Sequence, residues 1–326
     1  MPNTQRNRIK VAVLAGGIGS ERQVSLQSGQ TIYSALLEAG MDAVRSDITP
    51  EQTQILDDAS IDVYFLALHG RFGEDGVVQG LLERRQRAFT GSSAAASRTA
   101  FDKIASKAAF ARVGANVPRQ IIVSPDDTES TLVRKLSGFA RRVVVKPVRE
   151  GSSVGVDITA DAATAAQKAM LCVQTFGDCM IEEFIAGREI TVGIVNGQAL
   201  PIIEIRSKAA FYDYNAKYIV DSTEYLFDTI TETALIEQIQ KTALDCFNVL
   251  GCRHLSRVDL ILSEDQAPYV LEINTLPGFT SHSLLPMAAR KAGIPTPQLC
   301  RQIAEAAWRN HCAAVKPSSL EGVPAQ

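Results

Sequence analysis

The residues best placed to do chemistry lie between Leu255 and Ser283, in the stretch LSRVDLILSEDQAPYVLEINTLPGFTSHS. Ser256–Leu262 alternates polar and apolar residues, Ser263–Pro268 reads as a polar turn, and Tyr269–Asn274 reads as the return strand of a β-hairpin. Side chains two apart on a strand share a face, so Arg257 stands beside Asp259 and Glu272 beside Asn274. A hairpin closing in register brings two carboxylates, one amide oxygen and a guanidinium onto one surface. An all-oxygen donor set without His or Cys suits Mg²⁺, which keeps several waters and takes phosphate oxygens from a substrate. A solvated hairpin face with an ordinary salt bridge accounts for the same pattern equally well.

Four more segments carry candidate chemistry. After a first short strand, AGGIGSE forms a glycine turn that presents Glu21 and Ser25 near a helix start. Its spacing, Gly17-x-Gly19-x-x-Arg22, lacks the third glycine of a dinucleotide fingerprint. Glu21 either caps the helix or binds a substrate ammonium, and the residues alone do not decide. His69-Gly70 ends a strand, at the sheet edge where ligands of open α/β sheets bind; a loop histidine satisfied by backbone is the plainer reading. Lys146-Pro147 ends another strand, and Glu150–Gly155 follows as a small-residue loop with backbone N–H groups suited to nucleotide phosphates, although no Walker A pattern is present. Lys208–Tyr218 gathers Phe211, Tyr212, Tyr214 and Tyr218 with two lysines, as either a packed loop or a lid over phosphates would.

The elements that must position these residues follow from periodicity. Ile9–Leu14 and Ile61–Leu68 read as buried strands, Val24–Gly40 and Gly76–Arg87 as helices, and Ala88–Thr90 as a strand end. That alternation predicts a parallel α/β sheet in about the first hundred residues. Beyond it, Phe101–Val113, Ala162–Thr175, Thr231–Gly251 and Thr296–His311 read as helices. Val143–Lys146, Met180–Ile185, Glu189–Val195 and Ala199–Ile205 read as strands, the last two joined through Asn196-Gly197. The Pro/Ser/Gly tail after the last helix is expected to be mobile.

With 326 residues the chain is long enough for two or three domains. Apolar residues make up 46%, charged residues 21%, and the net charge is −3, which leaves no electrostatic footprint for nucleic acid or an anionic membrane. No apolar run reaches the roughly 18 residues that span a bilayer, and no export signal is legible. The six cysteines are scattered without metal-ligand spacing and are expected as packed free thiols of a cytoplasmic protein.

Taken in order, GGIGSERQVSL, HGRFGEDGVVQG, GSSAAASRTAFDK, VVVKPVREGSSVG, FYDYNAKY, SRVDL and LEINTLPGFTSHSLLP resemble the D-alanine–D-alanine ligases of the ATP-grasp superfamily, from about Lys10 to Trp308. The resemblance implies an α/β (α+β) fold in three parts: a Rossmann-like parallel-sheet domain over 1–102, a central ATP-grasp half over 103–186, and a C-terminal half over 187–312. The last part would carry a lid at 206–223, and 313–326 would be the tail. Glu21 would hold the ammonium of the first D-alanine, in a hydrogen-bonded triad with Ser152 and Tyr218, and His69 would lie beside that substrate. Lys103, Lys146, Ser152 and Ser153 would contact ATP phosphates, with Lys217 on the lid. Glu182, Glu183, Phe184, Ile185 and Glu189 would line the adenine and ribose pocket. Asp259, Glu272 and Asn274 would bind two Mg²⁺ ions, or Mn²⁺ in their place. Arg257 and the Gly278 backbone would stabilise the tetrahedral intermediate, and Ser283 with Leu284 would hold the second substrate's carboxylate.

Also implied are ATP and D-alanine as substrates, a dipeptide product for peptidoglycan, a homodimer, and K⁺ as an activator. The turn differs from many relatives at Gly19-Ser20, but Glu21 keeps its place. Ala216-Lys217-Tyr218 is the lid form associated with D-alanine, not D-lactate, as second substrate. Competing expectations are another ATP-grasp carboxylate–amine ligase, a nicotinamide-dependent oxidoreductase built on the first strand-turn-helix, and an inactive nucleotide-binding protein.

Overall fold

The structure is a computed structural model that describes residues 8–207 and 223–315. The first sheet is parallel, in the order β2-β1-β3-β4, from β1 (Lys10–Gly16), β2 (Asp42–Ile48), β3 (Val63–Leu66) and β4 (Ala88–Phe89). Helices α1 (Arg22–Glu38) and α2 (Val77–Arg84) lie between its strands, and α3 (Ala94–Phe101) follows. Strand β1 is buried along nearly its whole length, as its unbroken apolar run requires when both faces are covered.

The second sheet is antiparallel, in the order β5-β8-β6-β7. It consists of β5 (Gln120–Ile122), β6 (Val143–Lys146), β7 (Asp157–Thr159) and β8 (Met180–Glu183). Helix α4 (Lys103–Arg112) precedes it, and α5 (Glu129–Leu136) and α6 (Ala162–Phe176) bury Leu132, Leu136, Ala165 and Ala169 against Val143, Val145 and Ile181.

The third sheet is built from β9 (Gly187–Val195), β10 (Gln198–Ala199), β11 (Ile203–Ser207), β12 (Thr223–Leu226), β13 (Leu255–Ser263) and β14 (Pro268–Asn274). Its order is β12-β11-β9-β13-β14, with β10 turning back on β9. Asn196 and Gly197 take φ of 49° and 78°, the left-handed pair that a two-residue hairpin needs. Helix α7 (Thr233–Val249) covers one face of this sheet, and α8 (Leu284–Lys291) and α9 (Thr296–Val315) follow it.

The C-terminal helices do not stay with their own sheet. Leu299, Cys300 and Ile303 of α9 share one core with Val11 and Val13 of β1 and Ile32 and Leu36 of α1. Phe65 of β3 meets Phe279 of the third unit edge-on, with ring centroids 5.9 Å apart. The first and third sheets are thereby fastened together around the space between them.

Several expectations need correction. The helix read over Phe101–Val113 is α4, whose start is set by Asp102: that residue leaves the helical region and its carboxylate accepts the N–H groups of Ile104 and Ala105, both at 3.0 Å, while α3 ahead of it has no counterpart in the periodicity. Helix α1 starts at Arg22, ahead of Val24, and α9 continues past His311 to Val315. Strands β2, β5 and β7 and helices α5 and α8 have no counterpart in the periodicity. Lys217 and Tyr218, with most of the expected lid, lie outside the described residues. All six cysteines are free thiols, five of them buried. Among the described residues no helix is long and apolar enough to cross a membrane.

Candidate active site

The hairpin closes in the expected register: Asp259 faces Glu272, and Arg257 faces Asn274. A bulge follows at once, since Leu260 pairs with Val270 and leaves Leu271 extra. The extra residue lets Leu271 and Glu272, neighbours in sequence, both line the cavity beside the sheet. On the other flank Thr191 of β9 faces Asp259 and donates its hydroxyl to Oδ1 at 2.6 Å. Arg257 grips the same carboxylate with both arms, Nε to Oδ1 at 2.8 Å and Nη2 to Oδ2 at 2.7 Å. Glu272 takes Lys103 Nζ at 3.2 Å. Asn274 Oδ1 accepts the Leu276 N–H at 2.8 Å, which fixes the orientation of the amide.

Two cavities meet on this surface. The larger, of about 450 Å³, runs between the second and third sheets. Its walls include Lys146, Ser153, Glu182, Glu183, Phe184 and Ile185, with Val144, Ile261 and Leu271 as apolar lining. The smaller, of about 100 Å³, sits where the first and third sheets meet and is lined by Glu21, His69, Ser152, Arg257, Asn274, Gly278, Ser283 and Leu284. Lys103, Glu150, Glu189, Asp259 and Glu272 border both. Every site residue read from the sequence is on one of these two walls, except Lys217 and Tyr218.

The turn after β1 removes one of the two readings of Glu21, that of a helix cap. Glu21 is the residue at the start of α1, yet its side chain caps nothing there. Its Oε1 accepts the Ser152 hydroxyl at 2.6 Å instead. Ser152 and Ser153 hold φ of 52° and 58°, two consecutive non-glycine residues in the left-handed region, a strain that clusters at ligand sites. Ser25, expected at an exposed turn, is buried: it accepts the Gly16 N–H at 2.8 Å and donates to the Ala67 carbonyl at 2.7 Å, tying the ends of β1 and β3. The close helix–strand approach missing at Arg22 occurs at Gly29, where a Cβ would lie 2.4 Å from that of Ala15.

His69 is buried, with Nδ1 3.6 Å from Glu74 Oε1 and Nε2 3.5 Å from Ser28 Oγ. Burial raises the Glu74 carboxyl above its ordinary value despite that partner. Gly278 is held tightly: a Cβ there would lie 2.8 Å from Ser283 Oγ. Ser283 immediately precedes α8, so the start of that helix lies at the wall of the small cavity.

Lysines and carboxylates dominate the shared wall. Lys146 Nζ lies 2.8 Å from Glu182 Oε2, and Lys103 Nζ donates to the Glu150 carbonyl at 2.6 Å. Glu183 lines the larger cavity, but its carboxylate is taken by Arg119 at 2.7 Å. Sequence reasoning misses Lys107, Thr191 and Glu74. Lys107 stands one helical turn after Lys103 and so on the same helix face, but its role, like that of Thr191, shows only once strand order is known.

The residues fit a hard divalent cation. Asp259, Glu272 and Asn274 place two carboxylates and one amide on adjacent strands at the cavity wall, and Thr191 orients the first of them. Among the described residues no group of three or more His, Cys, Asp or Glu could hold a metal alone. An all-oxygen set of this kind suits Mg²⁺, which takes phosphate oxygens and waters beside one or two carboxylates.

The family models described as D-ala D-ala ligase N-terminus and D-ala D-ala ligase C-terminus match residues 43–92 and 110–305. The D-alanine–D-alanine ligase of Methylacidiphilum infernorum is 41% identical over 304 residues, covering 92% of this chain and 97% of its own. That of Hydrogenovibrio crunogenus is 42% identical over 282 residues, covering 86% and 89%. The crystal structure of the Bacillus anthracis ligase complexed with ATP superposes with a TM-score of 0.82 at 35% identity, covering 95% of this chain and all of that one. Fold and site together define an ATP-dependent ligase of the ATP-grasp type. The chain belongs to the D-alanine–D-alanine ligase family.

Proposed function

We propose that the chain joins two D-alanines into a dipeptide for peptidoglycan, converting ATP to ADP and phosphate through a D-alanyl phosphate. The observation that carries this reading is the meeting of a large, partly apolar cavity with a small polar one at Lys103, Asp259 and Glu272. A nucleotide fits the first and an amino acid the second, and the phosphoryl group would pass where they join.

Glu21, held by Ser152, takes the ammonium of the first D-alanine and leaves its carboxylate facing the shared wall. Lys103 and Lys146 bind ATP phosphates and offset charge as the γ-phosphoryl group moves to that carboxylate and ADP departs. A divalent cation, one or both of a pair of Mg²⁺ held by Asp259, Glu272 and Asn274, would draw charge off the transferring group. Asp259, through both carboxylate oxygens, holds the Arg257 guanidinium at the wall of the small cavity. Arg257 and the Gly278 N–H then stabilise the oxyanion as the second amine attacks, the C–O bond to phosphate breaks, and a proton leaves the new amide nitrogen. Ser283 and the Leu284 N–H hold the second carboxylate at the start of α8. Phe184, Ile185 and Glu189 hold adenine and ribose.

Family resemblance supports a homodimer in the cytoplasm with K⁺ as activator, and sedimentation and K⁺ titration test two of these points. The substrate reading is tested by product analysis after incubation with ATP, Mg²⁺ and D-alanine, L-alanine, or D-alanine plus D-lactate. Dialanine from D-alanine alone supports it. A depsipeptide as main product, or no product from D-alanine, overturns it.

A further inference from the structure

We propose that Lys107 is a positioning residue for the nucleotide cavity: by sharing the Glu182 carboxylate, it leaves Lys146 with net positive charge at the cavity wall. Lys107 lies on α4, four residues after Lys103, so the two extend from one helix face. Lys103 reaches Glu272 of β14, and Lys107 Nζ reaches Glu182 Oε1 of β8 at 2.6 Å. The other carboxylate oxygen, Oε2, binds Lys146 Nζ of β6 at 2.8 Å. Lys107 Nζ also lies 3.4 Å from the Val270 carbonyl of β14, so one ammonium touches both the second and the third sheet. Lys146 and Glu182 line the larger cavity, whereas Lys107 stands behind them, 1% exposed.

The charge count follows from that geometry. A buried Lys146–Glu182 pair alone sums to zero and would attract a phosphate weakly. With Lys107 the trio carries one positive charge in a water-poor wall, where a nearby phosphate is the natural counter-charge. Burial, opposed by the Glu182 charge and reinforced by Lys146, brings the Lys107 ammonium down to about 8. Burial alone would raise Glu182, but the charges of Lys146 and Lys107 outweigh it and hold that carboxyl below its ordinary value. The charged groups facing Lys107 are Glu182, Lys146 and Glu272, from three different strands.

This role rests on the reading of the larger cavity as the nucleotide site. The test is ATP affinity by calorimetry for the wild type, Lys107→Met, and Lys107→Met with Glu182→Gln. The single variant should bind ATP roughly tenfold more weakly. The double variant should recover most of that loss, because Lys146 again has no carboxylate to neutralise it. A Lys107 that only braces the fold predicts the reverse, since the double variant removes more buried contacts. Wild-type affinity should also fall as pH rises from 7 to 9 and Lys107 loses its proton, and Lys107→Met should flatten that fall. Equal binding by wild type and single variant, or a double variant no better than the single, overturns the role. If Lys107→Met does not fold, Lys107→Gln takes its place in the same comparison, alone and with Glu182→Gln, and the same outcomes overturn the role. Absence of ATP binding by the wild type would instead overturn the cavity reading itself.

Discussion

Ser152 Oγ lies 2.6 Å from Glu21 Oε1 and donates to it across 131 residues of sequence. The bond joins the turn after β1 to the loop after β6, so the first sheet and the second meet at a carboxylate in the smaller cavity. The loop accepts left-handed backbone at two serines to make it.

The charge of Glu21 is therefore expected to act on the amino acid and not on ATP. Glu21→Gln should lower kcat/KM for D-alanine roughly 10- to 100-fold, the value of a hydrogen bond to a charged group, with KM for ATP little changed. Steady-state kinetics with each substrate varied would check this; an equal loss on both substrates would place Glu21 in general folding.

Thr191 touches no substrate but fixes Asp259, so it should tune the metal. Thr191→Val keeps the shape and removes the 2.6 Å hydrogen bond to Oδ1. The Mg²⁺ concentration for half-maximal activity should rise roughly tenfold, and chelation should abolish turnover in both proteins. An unchanged Mg²⁺ titration would mean that Asp259 is not a metal ligand.

Gly278 leaves no room for a side chain. A Cβ at Gly278 would lie 2.8 Å from Ser283 Oγ, and Gly278→Ala should destabilise the fold by about 1–3 kcal/mol. Adding Ser283→Ala removes the obstructing oxygen and should restore the melting temperature. Affinity for the second D-alanine should stay low in the double variant, because the hydroxyl that would hold its carboxylate is gone.

His254 makes acid stability testable. Burial first, and then the neighbouring Arg253, bring its imidazole from 6.5 down to about 4. Between those values the unfolded chain binds a proton that the folded one refuses, so stability falls as pH drops from 6.5 toward 4. The loss from this group is about 3 kcal/mol at most. His254→Asn suits the backbone, whose φ is 66°, and should flatten denaturant stability across that window. An unaltered pH slope would locate the acid sensitivity elsewhere.

Where an element carries its own pattern, the sequence alone makes it legible. Val143–Lys146 reads correctly to the residue, and period-two alternation puts Arg257 on one face with Asp259 and Glu272 on one face with Asn274, as the hairpin shows. Strand β2 is not legible because it is an edge strand with alternate exposed polar residues, which leaves no apolar run to notice. Helix α3 is not legible because Ala94–Phe101 is a short stretch of small residues without the large apolar spacing that marks a helix face. Lys107 and Thr191 escape for a deeper reason. Their roles depend on which strands lie side by side, and strand order in the second and third sheets is not written in any local period.

The measurement that bears most directly on the central claim is the fate of oxygen. D-alanine labelled with ¹⁸O in its carboxylate should pass one labelled oxygen to the phosphate released during dipeptide formation, because the acyl C–O bond breaks after phosphorylation. Labelled phosphate in step with dialanine is the predicted result. Unlabelled phosphate alongside dialanine would show that the carboxylate is not activated by phosphoryl transfer, and would contradict the account.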